Sequence, residues 1–325
     1  METKVFEECE SQVRTYFRQF PMEFNKAEGS YIFGADGRCY IDFLSGAGSL
    51  NYGHNNPAIR KALIAYLNEG GIVHSLDLHT TAKKTFMRTF VDKILAPRGM
   101  EDYKLQFVGP TGTNAVEAAL KLARKVTGAH DIFAFTHGFH GVTLGALATC
   151  GEQSKRAVGG VPLSNVTRVP FDGFHSNLDT IALIEQMLAD PNSGWVAPAA
   201  FIVEVVQGEG GLNVASPSWL KALEQLCRKL GSLLIVDEVQ TGCGRTGDFF
   251  AFEASGICPD IVCVSKSIGG YGLPMALVLL RRELDCWRPG EHNGTFRGSC
   301  LSFIAATSAI ETYWSDTTFI EDVRK

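Results

Sequence analysis

The sequence predicts an α/β fold in which a mostly parallel sheet is covered by helices. From about residue 80 onward, helical and strand-like stretches alternate, the succession from which parallel sheets are built. The runs Leu233–Val236 and Ile261–Val264 are short, largely β-branched and unbroken by polar residues, as strands buried on both faces are. Each run is followed by a residue that interiors avoid: Asp237 directly after the first, Lys266 just past the second. Open α/β sheets place their chemistry at the carboxyl ends of such strands.

Taken in order, residues 4–19 carry an amphipathic pattern and are expected to be a helix outside the main domain. Residues 31–43, YIFGADGRCYIDF, read as two short strands about a turn at Asp36-Gly37. The Gly- and Asn-rich stretch 45–57 is expected to be a loop where backbone approaches a ligand closely, and Pro57 opens a helix over 57–69. A helix over 80–95 precedes a strand at Lys104–Val108, and a helix over 114–127 precedes a strand at Ile132–Thr136. After a long irregular stretch, strand Ala200–Val206 leads to a helix over 217–230. That helix carries Leu220, Leu223, Cys227 and Leu230 on one face and stops at Gly231. Strands 232–236, 261–264 and 275–280 complete the sheet, and residues 303–314 look helical.

Composition narrows the function classes. A formal net charge of −5 gives no electrostatic reason to expect nucleic acid or an anionic membrane as partner. The nine cysteines show no C-x-x-C pair and no metal-ligand spacing, so no metal is expected and reduced cytoplasmic thiols are. The first twenty residues are charged throughout and lack the apolar core of a secretory signal. No apolar run reaches the ~18 residues that span a bilayer.

A carboxylate and an amine at neighbouring strand ends suit an aromatic aldehyde cofactor. A partly desolvated lysine has a lowered pKa and forms a Schiff base. A carboxylate facing a pyridine nitrogen keeps the ring protonated, so that it withdraws electrons. The cofactor implied is pyridoxal phosphate; a structural ion pair, or two loop residues in solvent, would use the same residue types. The turn Val108-Gly109-Pro110-Thr111-Gly112-Thr113-Asn114, between a strand and a helix, adds a cradle for phosphate: free N–H groups, the helix dipole and the Thr113 hydroxyl. It is neither a Walker A loop nor a dinucleotide fingerprint. Phe139, past strand 132–136, could stack on a flat cofactor, with His140 as a polar neighbour or general base; each could equally be packing.

These pieces resemble a known family, from about residue 20 to the last residue. The stretches GPTGTNAVEAALKLAR (109–124), FTHGFHG (135–141), VEVVQGEGG (203–211), IVDEVQTGCGRTG (235–247), PDIVCVSKSIGGYGLP (259–274) and HNGTFRG (292–298) are similar to those of the class III pyridoxal-phosphate aminotransferases, of fold type I. The resemblance implies that Lys266 is the Schiff-base lysine and Asp237 the partner of the ring nitrogen. Val239 would pack on the ring opposite Phe139, Gln240 would bond the phenolic oxygen, and Gly112 and Thr113 would bind the phosphate. Thr295 would reach the phosphate of a neighbouring subunit, so that a homodimer at least builds each site. Glu204 and Glu209 match the acidic positions at the substrate gate, with Glu209 switching the pocket between donor and keto acid.

Among family members, the stretches GAGSLNYGHNNP, GFHGVTLGALA and GEHNGTFRG look like those that move the amine of glutamate onto L-aspartate 4-semialdehyde, giving 2,4-diaminobutyrate in the ectoine pathway. Members acting on 4-aminobutyrate or ornithine carry a carboxylate-gripping arginine after the aromatic-x-Gly triplet; this chain has Val142 there. Another semialdehyde or ω-amino acid aminotransferase is the alternative within the class, and an inactive cofactor-binding fragment the alternative outside it. The resemblance divides the chain into an N-terminal segment (1–60), a large cofactor domain (61–302) and the start of a C-terminal domain (303–325). Family members continue past the position of Lys325, with an arginine for glutamate's α-carboxylate. Without it, poor activity and exposed apolar surface are expected.

Overall fold

In a computed structural model, which describes residues 4–325, the buried runs lie side by side in one seven-stranded sheet. Its order is Tyr103–Phe107, Leu277–Arg281, Ile261–Val264, Leu233–Asp237, Ala200–Val203, Ile132–Phe135, Val166–Val169. Leu277–Arg281 runs antiparallel to both of its neighbours; the other pairings are parallel. The expectation of a mostly parallel sheet holds, with one reversed strand near an edge.

Period-two geometry sends alternate side chains of a strand to opposite faces. Leu234 and Val236 join Val262 and Val264 in a core with Leu220, Leu223 and Cys227 of helix Pro217–Leu230. Leu233 and Ile235 join Ile261 and Cys263 in a second core with Ala115, Val116 and Leu122 of helix Gly112–Thr127. Helices on both faces are what keep these strands apolar throughout. Helix Pro217–Leu230 starts at a Ser216 side-chain cap and stops at Gly231 with φ +68°, the left-handed turn its sequence foretold.

Three expectations need correction. The helix expected over 4–19 is confined to Lys4–Cys9, followed by a 3-10 turn at Tyr16–Arg18. None of its residues is buried, and a short helix without a docked face is marginal in water. The small sheet has a third strand, Phe24–Glu28, beside the hairpin Tyr31–Gly34 and Cys39–Ile41. The stretch 137–199, expected to be irregular, holds helices Leu144–Thr149, Gln153–Ala157 and Thr180–Ala189 and the edge strand Val166–Val169. Their shortness hid the first two, and the near-uniform apolarity of TIALIEQMLA hid the last.

Helix Cys300–Tyr313 packs across helices Pro57–Asn68 and Thr81–Phe90. Its Phe303 meets Phe86 stacked and Phe107 edge to face, and Phe90 lies tilted against Phe86 and edge to face with Phe249. The loop 45–57 runs from this layer over the carboxyl ends of the sheet, where Asn51 donates to Cys243 O at 2.9 Å. No described helix is long and apolar enough to cross a membrane.

Candidate active site

The parallel strands all end on one side, and the chemistry gathers there. Asp237 is the last residue of its strand, in register with Cys263 of the neighbour. Lys266 follows that neighbour's end, after Ser265, at the start of a 3-10 turn. Its φ of +50° is left-handed, a conformation that non-glycine residues adopt only when the surroundings impose it. Both residues line a cavity of about 240 Å³, with Gly112, Thr113, Phe139, His140, Glu204, Glu209, Val239 and Gln240. A larger open groove of about 750 Å³ runs past His79, Lys83, Met87 and Arg88. Its lining has no acid facing a base, so residue chemistry, not volume, selects the smaller cavity.

The floor of the cavity is an acid held by an imidazole. Asp237 Oδ2 lies 2.7 Å from His140 Nδ1, and Asp237 Oδ1 accepts the Val239 N–H at 3.0 Å. The side chains of His140 and Asp237 are 1% and 5% exposed. Burial pulls the His140 pKa down, but the bond to Asp237, its charge and that of Glu204 together raise it above the ordinary histidine value. A His140 proton shared with Asp237 offsets the cost of burying that carboxylate. His140 is thus a positioning residue beneath Asp237. Its buried Nδ1 is engaged there and the residue is 4% exposed, which disfavours a general base acting in solvent.

Glu204 lies directly after strand Ala200–Val203 and is buried beside this pair. It accepts the Phe139 N–H at 2.7 Å. Burial, with the nearby Asp237 charge, pushes its pKa up to about 7 against the pull of His140 and Lys266. Glu209 sits apart from it, exposed at the rim, where it accepts from Gln240 Nε2 at 3.2 Å. The two acids grouped at the substrate gate therefore occupy different levels, one on the floor and one at the mouth.

Lys266 makes no hydrogen bond or ion pair among the described residues. Burial lowers its pKa, against the charges of Asp237, Glu209 and Glu204. An amine without a partner, more easily deprotonated than an ordinary lysine and facing a cavity, is poised as a nucleophile or base. At the other end, helix Gly112–Thr127 begins. Thr111 caps it through the Asn114 N–H, and the first-turn N–H groups have no acceptor within the helix. Thr113 Oγ1 is 2.6 Å from Thr143 Oγ1, which donates to Glu117 Oε1 at 2.6 Å. A Cβ on Gly112 would lie 2.6 Å from Val239 Cγ1, so a glycine is required where Val239 approaches.

Of the residues singled out from sequence, only Thr295 stands outside the cavity. It is exposed on the 3-10 turn Thr295–Gly298, with its carbonyl 2.9 Å from His74 Nε2. The half-buried Phe139 ring lies under Lys155 Nζ, 4.5 Å from its centroid. Sequence reasoning missed three supports. Glu117 also accepts the Gly145 and Ala146 N–H groups. Fully buried Glu238 accepts from Thr241 Oγ1 and the Phe252 N–H, holding the turn after Asp237. Asn51 ties the 45–57 loop to both strand ends. A polar residue beside the lysine or aspartate motif was the available signal only for Glu238.

Comparison with known proteins gives the same picture. The aminotransferase class-III family profile matches residues 14–325. The chain is 56% identical over 326 residues to a diaminobutyrate–2-oxoglutarate transaminase of Bordetella parapertussis, covering all of this chain and 75% of that one. It is 55% identical to the Halomonas elongata protein of the same name, over all of this chain and 77% of that one. Among solved structures, a Toxoplasma gondii ornithine aminotransferase superposes with a TM-score of 0.79 at 27% identity, over 95% of this chain and 70% of that one. An S-selective transaminase from Bacillus megaterium superposes at 0.82 and 26%, over 96% and 72%.

Proposed function

Since this chain belongs to the class III aminotransferases, we propose that it moves the amine of L-glutamate onto L-aspartate 4-semialdehyde, giving L-2,4-diaminobutyrate and 2-oxoglutarate. The cofactor is pyridoxal phosphate. The residues present fit it: a buried carboxylate on the floor, an unpartnered amine on the wall, and a helix N-terminus with a hydroxyl opposite. The observation that carries the reading is the convergence of Asp237 and Lys266, from adjacent strand ends, on one cavity.

When bound, pyridoxal phosphate supplies an aldehyde carbon that takes up amines and a protonated ring that withdraws electrons. Asp237, fixed by His140 and the Val239 N–H, would hold the proton on the ring nitrogen. Val239 and Phe139 would bracket the ring, and Gln240 would donate to its phenolic oxygen. The Gly112 and Thr113 N–H groups and the Thr113 hydroxyl would bind the phosphate. Lys266 Nζ would tether the aldehyde at rest and, once free, carry the proton to and from the substrate carbon bearing the amine. Glu209 at the rim is the gating acid in this reading, and Glu204 supports the floor.

The same reading makes the enzyme a homodimer at least. Thr295 is exposed and stands outside its own cavity, where a second copy's phosphate could reach it. Around it, Phe296, Ile72, Val73 and Leu78 expose apolar surface that such a partner would cover. Residues 61–302 form the cofactor domain in this scheme, 1–60 an N-terminal segment and 303–325 the start of a C-terminal one. The reaction belongs in the cytoplasm, in keeping with nine free cysteines.

The test uses the cofactor's own colour. The yellow enzyme is expected to lose its visible absorbance on adding glutamate and to regain it with aspartate 4-semialdehyde in preference to succinate semialdehyde or glutamate 5-semialdehyde. Lys266→Ala is expected to abolish both the resting absorbance and turnover; near-normal turnover in that variant refutes the assignment.

A further inference from the structure

Beside the cavity lies a cation that no described carboxylate neutralises. Arg245 sits in the turn after strand Leu233–Asp237, and its Nη2 donates to Asn51 Oδ1. Among the described residues no carboxylate is within ion-pair reach of it. Asn51 is itself fixed, since its Nδ2 donates to Cys243 O at 2.9 Å and its N–H to Ser267 Oγ at 3.3 Å. The guanidinium is thus held from one edge with the rest of its donor fork free, the arrangement that receives a carboxylate.

Its position is beside the rim of the cavity. A Cβ on Gly48 would lie 3.6 Å from Gln240 Cγ and 3.9 Å from Arg245 Nη2, so Arg245 stands next to the Gln240–Glu209 rim. Its charge is close enough to disfavour the protonated form of Lys266. Gly48 itself has φ +81°, and a side chain there would enter the space beside both residues. Two other places for a cation are closed. Val142, 65% exposed, is apolar, and Lys155 is paired with Glu152 at 2.8 Å above the Phe139 ring.

We propose that Arg245 is a substrate-binding residue that grips a carboxylate of the amino-acid substrate, in a chain whose position 142 offers no cation. The inference rests on the aminotransferase reading above. Lysine would supply the charge without the planar fork and restore only part of the binding.

The experiment compares the full-length holoenzyme with Arg245→Gln and Arg245→Lys. Calorimetry measures the affinity for glutarate, a dicarboxylate with no amine to react, and steady-state kinetics separate kcat from KM for glutamate. Arg245→Gln is expected to weaken glutarate binding and raise the glutamate KM together, each on the order of tenfold or more, while kcat moves by less than about threefold. Arg245→Lys recovers part of both. The inference is overturned if Arg245→Gln keeps glutarate affinity and KM near those of the unmodified enzyme. It is overturned as well if kcat and thermal stability fall while glutarate still binds, or if the unmodified enzyme binds no glutarate. Failure of the underlying reading looks different: glutamate leaves the visible absorbance of the unmodified enzyme unchanged.

Discussion

The buried acid Glu204 makes a quantitative prediction about stability and pH. Its folded-state pKa is raised from 4.5 to about 7, chiefly by burial. A carboxyl that holds its proton more tightly folded than unfolded contributes stability that is complete below its unfolded pKa. That contribution is lost as pH climbs through the folded value. At about 1.36 kcal/mol per pH unit, the interval from 4.5 to 7 corresponds to roughly 3 kcal/mol as an upper bound. Part of this is shared with the His140, Asp237 and Lys266 charges that surround the group, so about 1–3 kcal/mol is expected. Glu204→Gln keeps an oxygen to accept the Phe139 N–H but removes the ionisation. Urea unfolding of the cofactor-free enzyme should then show little difference near pH 4.5 and a variant more stable than its parent at pH 8. Glu238, also raised to about 7 by burial, keeps a similar slope in both proteins, so the variant's pH dependence is reduced and not abolished. Equal losses of stability between pH 4.5 and pH 8 in the two proteins would refute the burial argument.

Other outcomes follow from the same geometry. Asp237→Ala leaves a fully buried His140 without its acid, and is expected to lower unfolding free energy by about 3–5 kcal/mol in denaturant titrations, whether or not cofactor is present. Asp237→Asn, which preserves shape, should keep more of the fold while turnover falls. Gly112→Ala places a methyl group 2.6 Å from Val239 Cγ1 and should cost about 1–3 kcal/mol, with weaker pyridoxal phosphate binding by fluorescence titration. Adding Val239→Ala in the same chain should recover stability, though not ring packing.

How much was legible beforehand differed by residue. Lys266 and Asp237 stood out as candidates because a charged side chain at or just past the end of a buried apolar run has few structural uses. Gly112 and Thr113 stood out as candidates because a glycine-rich turn before an amphipathic helix can cradle an anion. Glu204 was grouped with Glu209 from sequence, whereas the structure buries the first and exposes the second, because alternation says nothing about where a strand stops. The run AFIVEVV continues apolar past Val203, yet the strand ends there and Val206–Gln207 pairs instead with Asn213–Val214. Arg245 and Asn51 stood in full view, but their pairing joins positions almost two hundred residues apart, a separation no local pattern encodes.

What the sequence determined by itself was six of the seven strands of the main sheet, the main helices that cover them and the strand ends at which Asp237 and Lys266 stand. All of these follow from local periodicity and from the free energy of burying apolar surface. Only the tertiary structure decided that His140 braces Asp237, that Lys266 has no partner among the described residues, that Thr295 stands outside its own cavity and that Arg245 meets no described carboxylate. Those facts depend on which distant segments meet, because ionisation and hydrogen bonding respond to the atoms within a few ångströms and not to neighbours along the chain.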